Sequence, residues 1–307
     1  MSDRPETVLA VLEAASQWLE RQGVDAPRRS VELLIQHVLG LTRLQVYLAH
    51  DRPLSVGELD SLRGLVARRA RHEPVAHLLG SWEFHGHELE VGPAVLIPRP
   101  ETEGLVDLAL SRLDAGAQRV VDLGTGSGAI AIALAKGRAD LHVTAVDVSP
   151  DALAVARRNV ERHGLADRIR LVEGSWWEPL ADEAPFDGVV SNPPYVDPAR
   201  SDLVASDVAQ FEPGLALWTP SGLPGAPFEA IAAGIAARVR PGAPVLCETG
   251  AGAEAASRAA FESCSALGGV ELLDDLEGRP RYLVARVEAA GGAASGSGDQ
   301  TGALSAT

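Results

Sequence analysis

The 307-residue sequence holds only two cysteines, one methionine and 4% aromatic residues. Cys247 and Cys264 stand in no metal-ligand spacing and give no disulfide framework, so a reducing cytoplasm is the expected compartment. Long apolar runs are missing as well. Nothing approaches the roughly 20 residues needed to span a bilayer, and Met1-Ser2-Asp3-Arg4-Pro5-Glu6 lacks the basic start and apolar run of a signal peptide. The expectation is a soluble protein with no membrane partner. Basic residues number 27 against 42 acidic ones, nearly all of them arginine, for a net charge of −15. That balance argues against a protein whose main task is gripping a phosphate backbone, so no stable nucleic-acid binding is expected. The acidity is uneven. Residues 1–85 carry ten Arg against eleven Asp plus Glu, which is −1 and leaves −14 for the rest; a polyanion would meet the N-terminal part.

What is present reads as a globular chain, 46% hydrophobic and 22% charged, long enough for two domains and an appendage. Val8, Leu9, Val11, Leu12, Ala15, Trp18 and Leu19 recur at helical spacing; Val31, Leu33, Leu34, Val38 and Leu39 follow a Gly23/Pro27 break. A third helix is expected over 55–71, where Arg63, Arg68, Arg69 and Arg71 read as a solvated face. From Trp82 the period becomes two. Trp82/Phe84, Leu89/Val91 and Val95/Ile97 alternate around turns at Gly86 and Gly92-Pro93, a β-hairpin pattern that puts His85 and His87 at the surface. A proline-bounded loop, Pro98 to Glu103, and an apolar helix, Leu105 to Leu113, come next. Beyond them strands alternate with helices. Strands are expected at 119–123, 142–148, 169–173, 188–191, 245–248, 270–273 and 282–286, with helices at 128–136, 151–163, 227–239 and 252–266. Such alternation means an α/β fold with a doubly wound, mostly parallel sheet. The expected division is 1–81 helical, 82–97 a hairpin linker, 98–288 the catalytic domain and 289–307 a disordered Ala/Gly/Ser/Thr tail.

Val120-Val121-Asp122-Leu123-Gly124-Thr125-Gly126-Ser127-Gly128 reads as a buried strand entering a glycine turn that lets a ligand touch bare backbone. Asp147 ends the next strand, where a carboxylate takes the hydroxyls of a ribose. The glycines alone also fit a dinucleotide fingerprint. Asp122 breaks the tie: a carboxylate there repels a pyrophosphate and holds the ammonium of a methionine moiety, so S-adenosylmethionine is favoured over NAD. Trp176, beyond a strand near the same crevice, reads as an adenine-stacking wall. Arg99 and Glu101 either close over the methionine end or pair with each other.

Asn192-Pro193-Pro194-Tyr195 follows a short strand, so Asn192 should point into the crevice beside Gly124. A delocalised amide or aromatic amino nitrogen is a poor nucleophile. Two acceptors on its N–H bonds orient it and favour positive charge developing during attack on a sulfonium methyl. Asn192 Oδ1 and the Pro193 carbonyl are the natural acceptors, with Tyr195 covering the planar group and no metal required.

With these motifs in view, the chain resembles the release-factor glutamine methyltransferases, the HemK/PrmC family, over about residues 5–287. The specific features are Leu96-Ile97-Pro98-Arg99-Pro100-Glu101-Thr102-Glu103, Arg71 to Pro74, Gly80 and Phe84 to Gly86. The resemblance implies a seven-stranded Rossmann-like methyltransferase domain joined by a β-hairpin to a small helical domain. It implies methyl transfer from S-adenosylmethionine, leaving S-adenosylhomocysteine, to N5 of the glutamine in the Gly-Gly-Gln motif of class-one peptide chain release factors. Carried onto this chain, Asp122, Gly124, Thr125, Gly126, Ser127, Gly128, Asp147, Trp176 and Asn192 hold the cofactor, and Asn192, Pro193, Pro194 and Tyr195 hold the substrate amide. Where the family often has Asp before the two tryptophans, Ser175 stands here. The tetrapeptide is shared with adenine-N6 and guanine-N2 methyltransferases of nucleic acids, which form the alternative reading.

Overall fold

The computed structural model describes residues 6–219 and 222–289. The sequence expectation for the tail beyond 289 therefore lies outside the described residues. Five helices come first: α1 (Val8–Arg21), α2 (Pro27–Leu39), α3 (Arg43–Leu48), α4 (Val56–Arg69) and α5 (Val75–Leu79). Thr42 and Ser55 close capping boxes with Gln45 and Glu58, which set where α3 and α4 begin. Leu19, Val31, Leu34, Ile35 and Leu62 are buried together at the centre of this bundle. The sequence suggested three helices. The additional α3 and α5 span six and five residues, too short for a helical period to be read. The arginine face on α4 also needs correcting. Arg69 is buried and donates to the Ser30 hydroxyl (3.3 Å) and the Glu73 carbonyl (3.1 Å), while Arg68 pairs with the Glu73 carboxylate.

Strands β1 (Ser81–Phe84) and β2 (His87–Glu90) form the expected hairpin. Its turn is His85-Gly86, both with positive φ (50° and 73°), as a two-residue turn matching strand twist demands. Neither flanking histidine is fully at the surface: His85 Nε2 lies 2.9 Å from Asp107, and His87 stacks edge-on with His163. The third alternating pair, Val95/Ile97, is not a strand. It is irregular chain whose apolar side chains pack with Ala76, Ala152 and Val155, so burial rather than pairing produced the alternation. Pro98 to Glu103 is only partly a loop. Pro100 occupies the first turn of α6 (Pro100–Arg112), where its missing N–H costs nothing, and Glu101 and Glu103 complement the helix dipole.

The remaining strands are β3 (Arg119–Leu123), β4 (His142–Asp147), β5 (Ile169–Glu173), β6 (Gly188–Ser191), β7 (Pro244–Glu248), β8 (Leu267–Asp274) and β9 (Pro280–Val287). They form one sheet in the order β5-β4-β3-β6-β7-β9-β8, parallel except where β9 runs against β7 and β8. The helices are α7 (Ala129–Gly137), α8 (Pro150–Arg162), α9 (Ser206–Phe211), α10 (Gly214–Leu217), α11 (Ala226–Arg238) and α12 (Glu254–Glu262). Along β3, Val120 packs with Leu105, Ile132 and Leu134 on one side of the sheet, and Val121 with Phe228, Ile231 and Phe261 on the other. Both faces are therefore covered, as a doubly wound sheet requires. Helix α12 ends at Glu262, short of the expected 266, because the chain turns over 263–266, with Leu267 N–H donating to the Cys264 carbonyl, to enter β8. No helix among the described residues is long and apolar enough to cross a membrane.

The hairpin is docked rather than free. Asn159 of α8, fully buried, accepts from Glu90 N–H through Oδ1 (2.6 Å) and donates through Nδ2 to the carbonyls of Glu90 (3.0 Å) and Ser127 (2.9 Å). One amide thus ties β2 to the glycine turn. Replacing it leaves buried backbone groups without partners, so Asn159→Ala should cost about 2–4 kcal/mol in urea unfolding.

Candidate active site

The register of the central strands places the site. Leu123 of β3 pairs with Ser191 of β6, so the glycine turn and Asn192 leave the sheet side by side. Ser191 Oγ donates to the Leu123 carbonyl at 2.6 Å, locking that register from the side-chain side. A Cβ on Gly124 would lie 3.9 Å from the Asn192 carbonyl oxygen. Gly124, Gly126 and Gly128 all have positive φ, and the Gly124 and Thr125 N–H groups both donate to the Val146 carbonyl of β4. The turn is folded against the neighbouring strand end.

Gly124, Thr125, Gly126, Ser127, Asp147, Trp176, Asn192 and Pro194 line one cavity of about 720 Å³. Four residues expected at the site stand behind its wall: Asp122, Gly128, Pro193 and Tyr195. Gly128 caps α7, packed near Ala156 and Ile132. Asp147 is held by backbone: Oδ2 accepts from Gly126 N–H (2.8 Å) and Oδ1 from Ser149 N–H (2.9 Å). Burial raises its carboxyl above the ordinary value, against those hydrogen bonds. Of the adjacent tryptophans, Trp177 is core, donating to the Ile231 carbonyl at 2.8 Å over Gly234. Trp176 takes a positive φ of 48° and faces the cavity. Ser175 lines the same wall.

Asp122 is fully buried beneath the turn. Its Oδ2 accepts from the Thr125 hydroxyl at 2.6 Å, while among the described residues Oδ1 has no hydrogen-bond partner. Burial pushes its carboxyl up to about 7. A buried carboxylate beneath the glycine turn favours a cationic ligand group over a pyrophosphate by its charge, acting through the turn rather than by contact.

Behind Asn192 lies a chain of contacts that local sequence reading missed. Asn192 Nδ2 donates to Thr102 Oγ1 (3.2 Å), Thr102 Oγ1 donates to Glu248 Oε2 (2.6 Å), and Tyr195 donates to Glu248 Oε1 (3.4 Å). Tyr195 therefore turns its hydroxyl inward rather than covering a planar group. Gly250 makes room for it, since a Cβ there would sit 2.8 Å from the ring. Burial, then the Glu248 charge, raises the Tyr195 phenol well above its usual range. Glu248 itself, at the C-terminal end of β7, is pushed up to about 7 by burial. Its position at a strand end was the available signal. Arg99 pairs not with Glu101 but with Glu212, Nη2 to Oε1 at 2.5 Å, while Glu212 Oε2 accepts from Ile97 N–H at 2.9 Å. That buried carboxylate ties the segment before α6 to the one carrying Pro213, Leu215 and Ala216, which line the cavity from above.

A doubly wound sheet with a glycine turn and an Asn-Pro-Pro-Tyr strand end on one cavity defines a Rossmann-like methyltransferase. Residues 105–210 match the methyltransferase small domain, and residues 10–80 match the PrmC N-terminal domain. The chain is 42% identical to the release factor glutamine methyltransferase of Chlorobaculum tepidum, over 78% of this chain and 84% of that protein. It is 41% identical to the protein of that name from Nitratidesulfovibrio vulgaris, over 91% and 95%. The catalytic domain of hMettl16, solved in complex with the MAT2A 3′UTR hairpin 6, shares the fold at TM-score 0.56 and 18% identity, over 73% of this chain and 81% of that one. The chain belongs to the release factor glutamine methyltransferase family.

The raised Asp122 value has a sign for stability. The folded chain holds that proton more tightly than the unfolded one, so the contribution is full below about 3.8 and is lost as pH rises through about 7. Asp122→Asn should raise stability at pH 8 by about 1–3 kcal/mol, and by less at pH 5, in paired thermal and denaturant unfolding.

Proposed function

We propose that this chain methylates N5 of the glutamine in the Gly-Gly-Gln motif of class-one peptide chain release factors, using S-adenosylmethionine. S-adenosylmethionine supplies an electrophilic methyl on its sulfonium. The observation that carries the reading is Asn192, set beside the glycine turn with its Nδ2 engaged by Thr102 and its Oδ1 left to accept. A substrate amide offers N–H donors and needs acceptors. With Asn192 Oδ1 on one of those N–H bonds, the nitrogen is oriented toward the methyl donor and its developing charge is stabilised. The nitrogen becomes acidic only as it gains charge, so no strong base is needed beforehand.

In this reading Gly124 to Gly128 and Asp147 hold the nucleoside, Trp176 lies along the adenine and the buried Asp122 charge favours the ammonium from beneath the turn. Residues 1–81 serve substrate recognition, 82–97 the connection and 98–288 catalysis. The neighbour bound to an RNA hairpin is 18% identical and speaks for the fold alone.

Labelled S-adenosylmethionine offered with either a release factor or total RNA and DNA tests the assignment. Label is expected in the release factor, at the glutamine of its Gly-Gly-Gln peptide by fragmentation; label in nucleic acid alone overturns it. Asn192→Ala is expected to abolish turnover while S-adenosylhomocysteine affinity stays within about tenfold, or 1.4 kcal/mol, by calorimetry.

A further inference from the structure

An asparagine amide is nearly symmetric in shape and opposite in chemistry at its two ends. Oδ1 accepts hydrogen bonds, while Nδ2 donates them. A substrate nitrogen carries only N–H donors on the side to be held, so a reversed Asn192 would set donor against donor. Something must choose the rotamer. Thr102 Oγ1 is the contact to Nδ2, yet a hydroxyl alone does not choose, because it donates or accepts as required.

We infer that Thr102 and Glu248 act as a positioning relay that fixes the Asn192 amide with Oδ1 toward the substrate and anchors Tyr195 from the same carboxylate. The inference rests on the reading of Asn192 as the amide acceptor. Its geometry is a directed chain. An ionised Glu248 accepts only, and at 2.6 Å it takes the Thr102 hydroxyl proton. Thr102 then has only a lone pair left for its other partner, which selects Nδ2 of Asn192 at 3.2 Å. Both relay residues are buried, Thr102 at 4% exposed and Glu248 at 2%, so water does not stand in for either. The second Glu248 oxygen receives the Tyr195 hydroxyl at 3.4 Å. One buried carboxylate on β7 thereby holds both ends of the tetrapeptide that follows β6.

Protonation reverses the direction. A neutral Glu248 donates to Thr102, whose hydroxyl is then free to donate to Oδ1 and turn the amide over. The groups facing Glu248 are Arg281 and Tyr282 on β9, Glu101 on α6 and Tyr195 after β6. Arg281 favours the charged form of Glu248 and Glu101 opposes it, while burial dominates and brings the carboxyl to about 7. Turnover at saturating cofactor and substrate should therefore fall as pH drops below about 7.

The test uses the full chain with a release factor as substrate. Thr102→Val removes the hydroxyl at constant shape and should lower kcat at least about tenfold, with S-adenosylhomocysteine binding within about twofold of the parent. Thr102→Ser restores the hydroxyl and should return kcat to within about threefold. Glu248→Gln should abolish the acid limb of the kcat profile, which a merely structural carboxylate would leave in place. A parent-like kcat in Thr102→Val, or an acid limb that persists in Glu248→Gln, overturns the relay. Asn192→Ala separates the two levels. If it is inactive while Thr102→Val is fully active, the amide clamp stands and the relay falls; if it turns over normally, the clamp falls and the relay with it. Should Thr102→Val lose S-adenosylhomocysteine binding through misfolding, the serine variant and the Glu248→Gln profile still decide.

Discussion

The pairing of β3 with β6 at the centre of the sheet is the constraint on which the rest of the site depends. Because the two strands are parallel, both chains leave at the same edge, and the Leu123–Ser191 register sets them level. A slip of one residue would turn every side chain of β6 to the opposite face. Gly188 on β6 opposes that slip: a Cβ at its position would lie 2.5 Å from Leu113, so Val189 cannot take its place. The Ser191 hydroxyl on the Leu123 carbonyl adds a polar lock at the point where register matters most. Everything placed beyond that edge inherits its accuracy from hydrophobic packing several ångströms below it.

Two buried carboxylates lie close to this edge, and they differ in how well they are satisfied. Glu248 uses both oxygens, one for Thr102 and one for Tyr195. Asp122 uses one for Thr125, and among the described residues the other has no hydrogen-bond partner. Both are raised to about 7 by burial, so each lowers the stability of the protein at neutral pH. A carboxylate fully engaged inside the protein acts on its neighbours' geometry.

Local features were legible in the sequence and distant pairings were not. The glycine turn, the strand ending at Asp147 and the Asn192 tetrapeptide are written in consecutive residues, and the structure brings most of them to one cavity. The strand pattern was legible for the same reason. Val95 and Ile97 misled because extended chain packed on a helix also buries alternate residues. Glu212 is 115 residues from Ile97, and Glu248 is 146 from Thr102; no window of sequence holds both partners. Trp176 and Trp177 show the limit within a single dipeptide. Only the positive φ at Trp176 and the space above Gly234 send one ring to the cavity and the other to the core.

The hairpin bears on how a protein substrate can be handled. A single glutamine amide offers few contacts, so discrimination among proteins needs a second surface held at a fixed distance from Asn192. A loose connector would let that surface wander, and binding would then carry the ordering entropy of each encounter. Here the connection is stiff at both ends. Ala76 of α5 packs with Val91, Val95 and Ile97 against α8, and Asn159 joins β2 to the Ser127 carbonyl of the glycine turn. These contacts join the helical bundle to the cofactor turn, and on the proposed function they fix the distance between the bundle and Asn192.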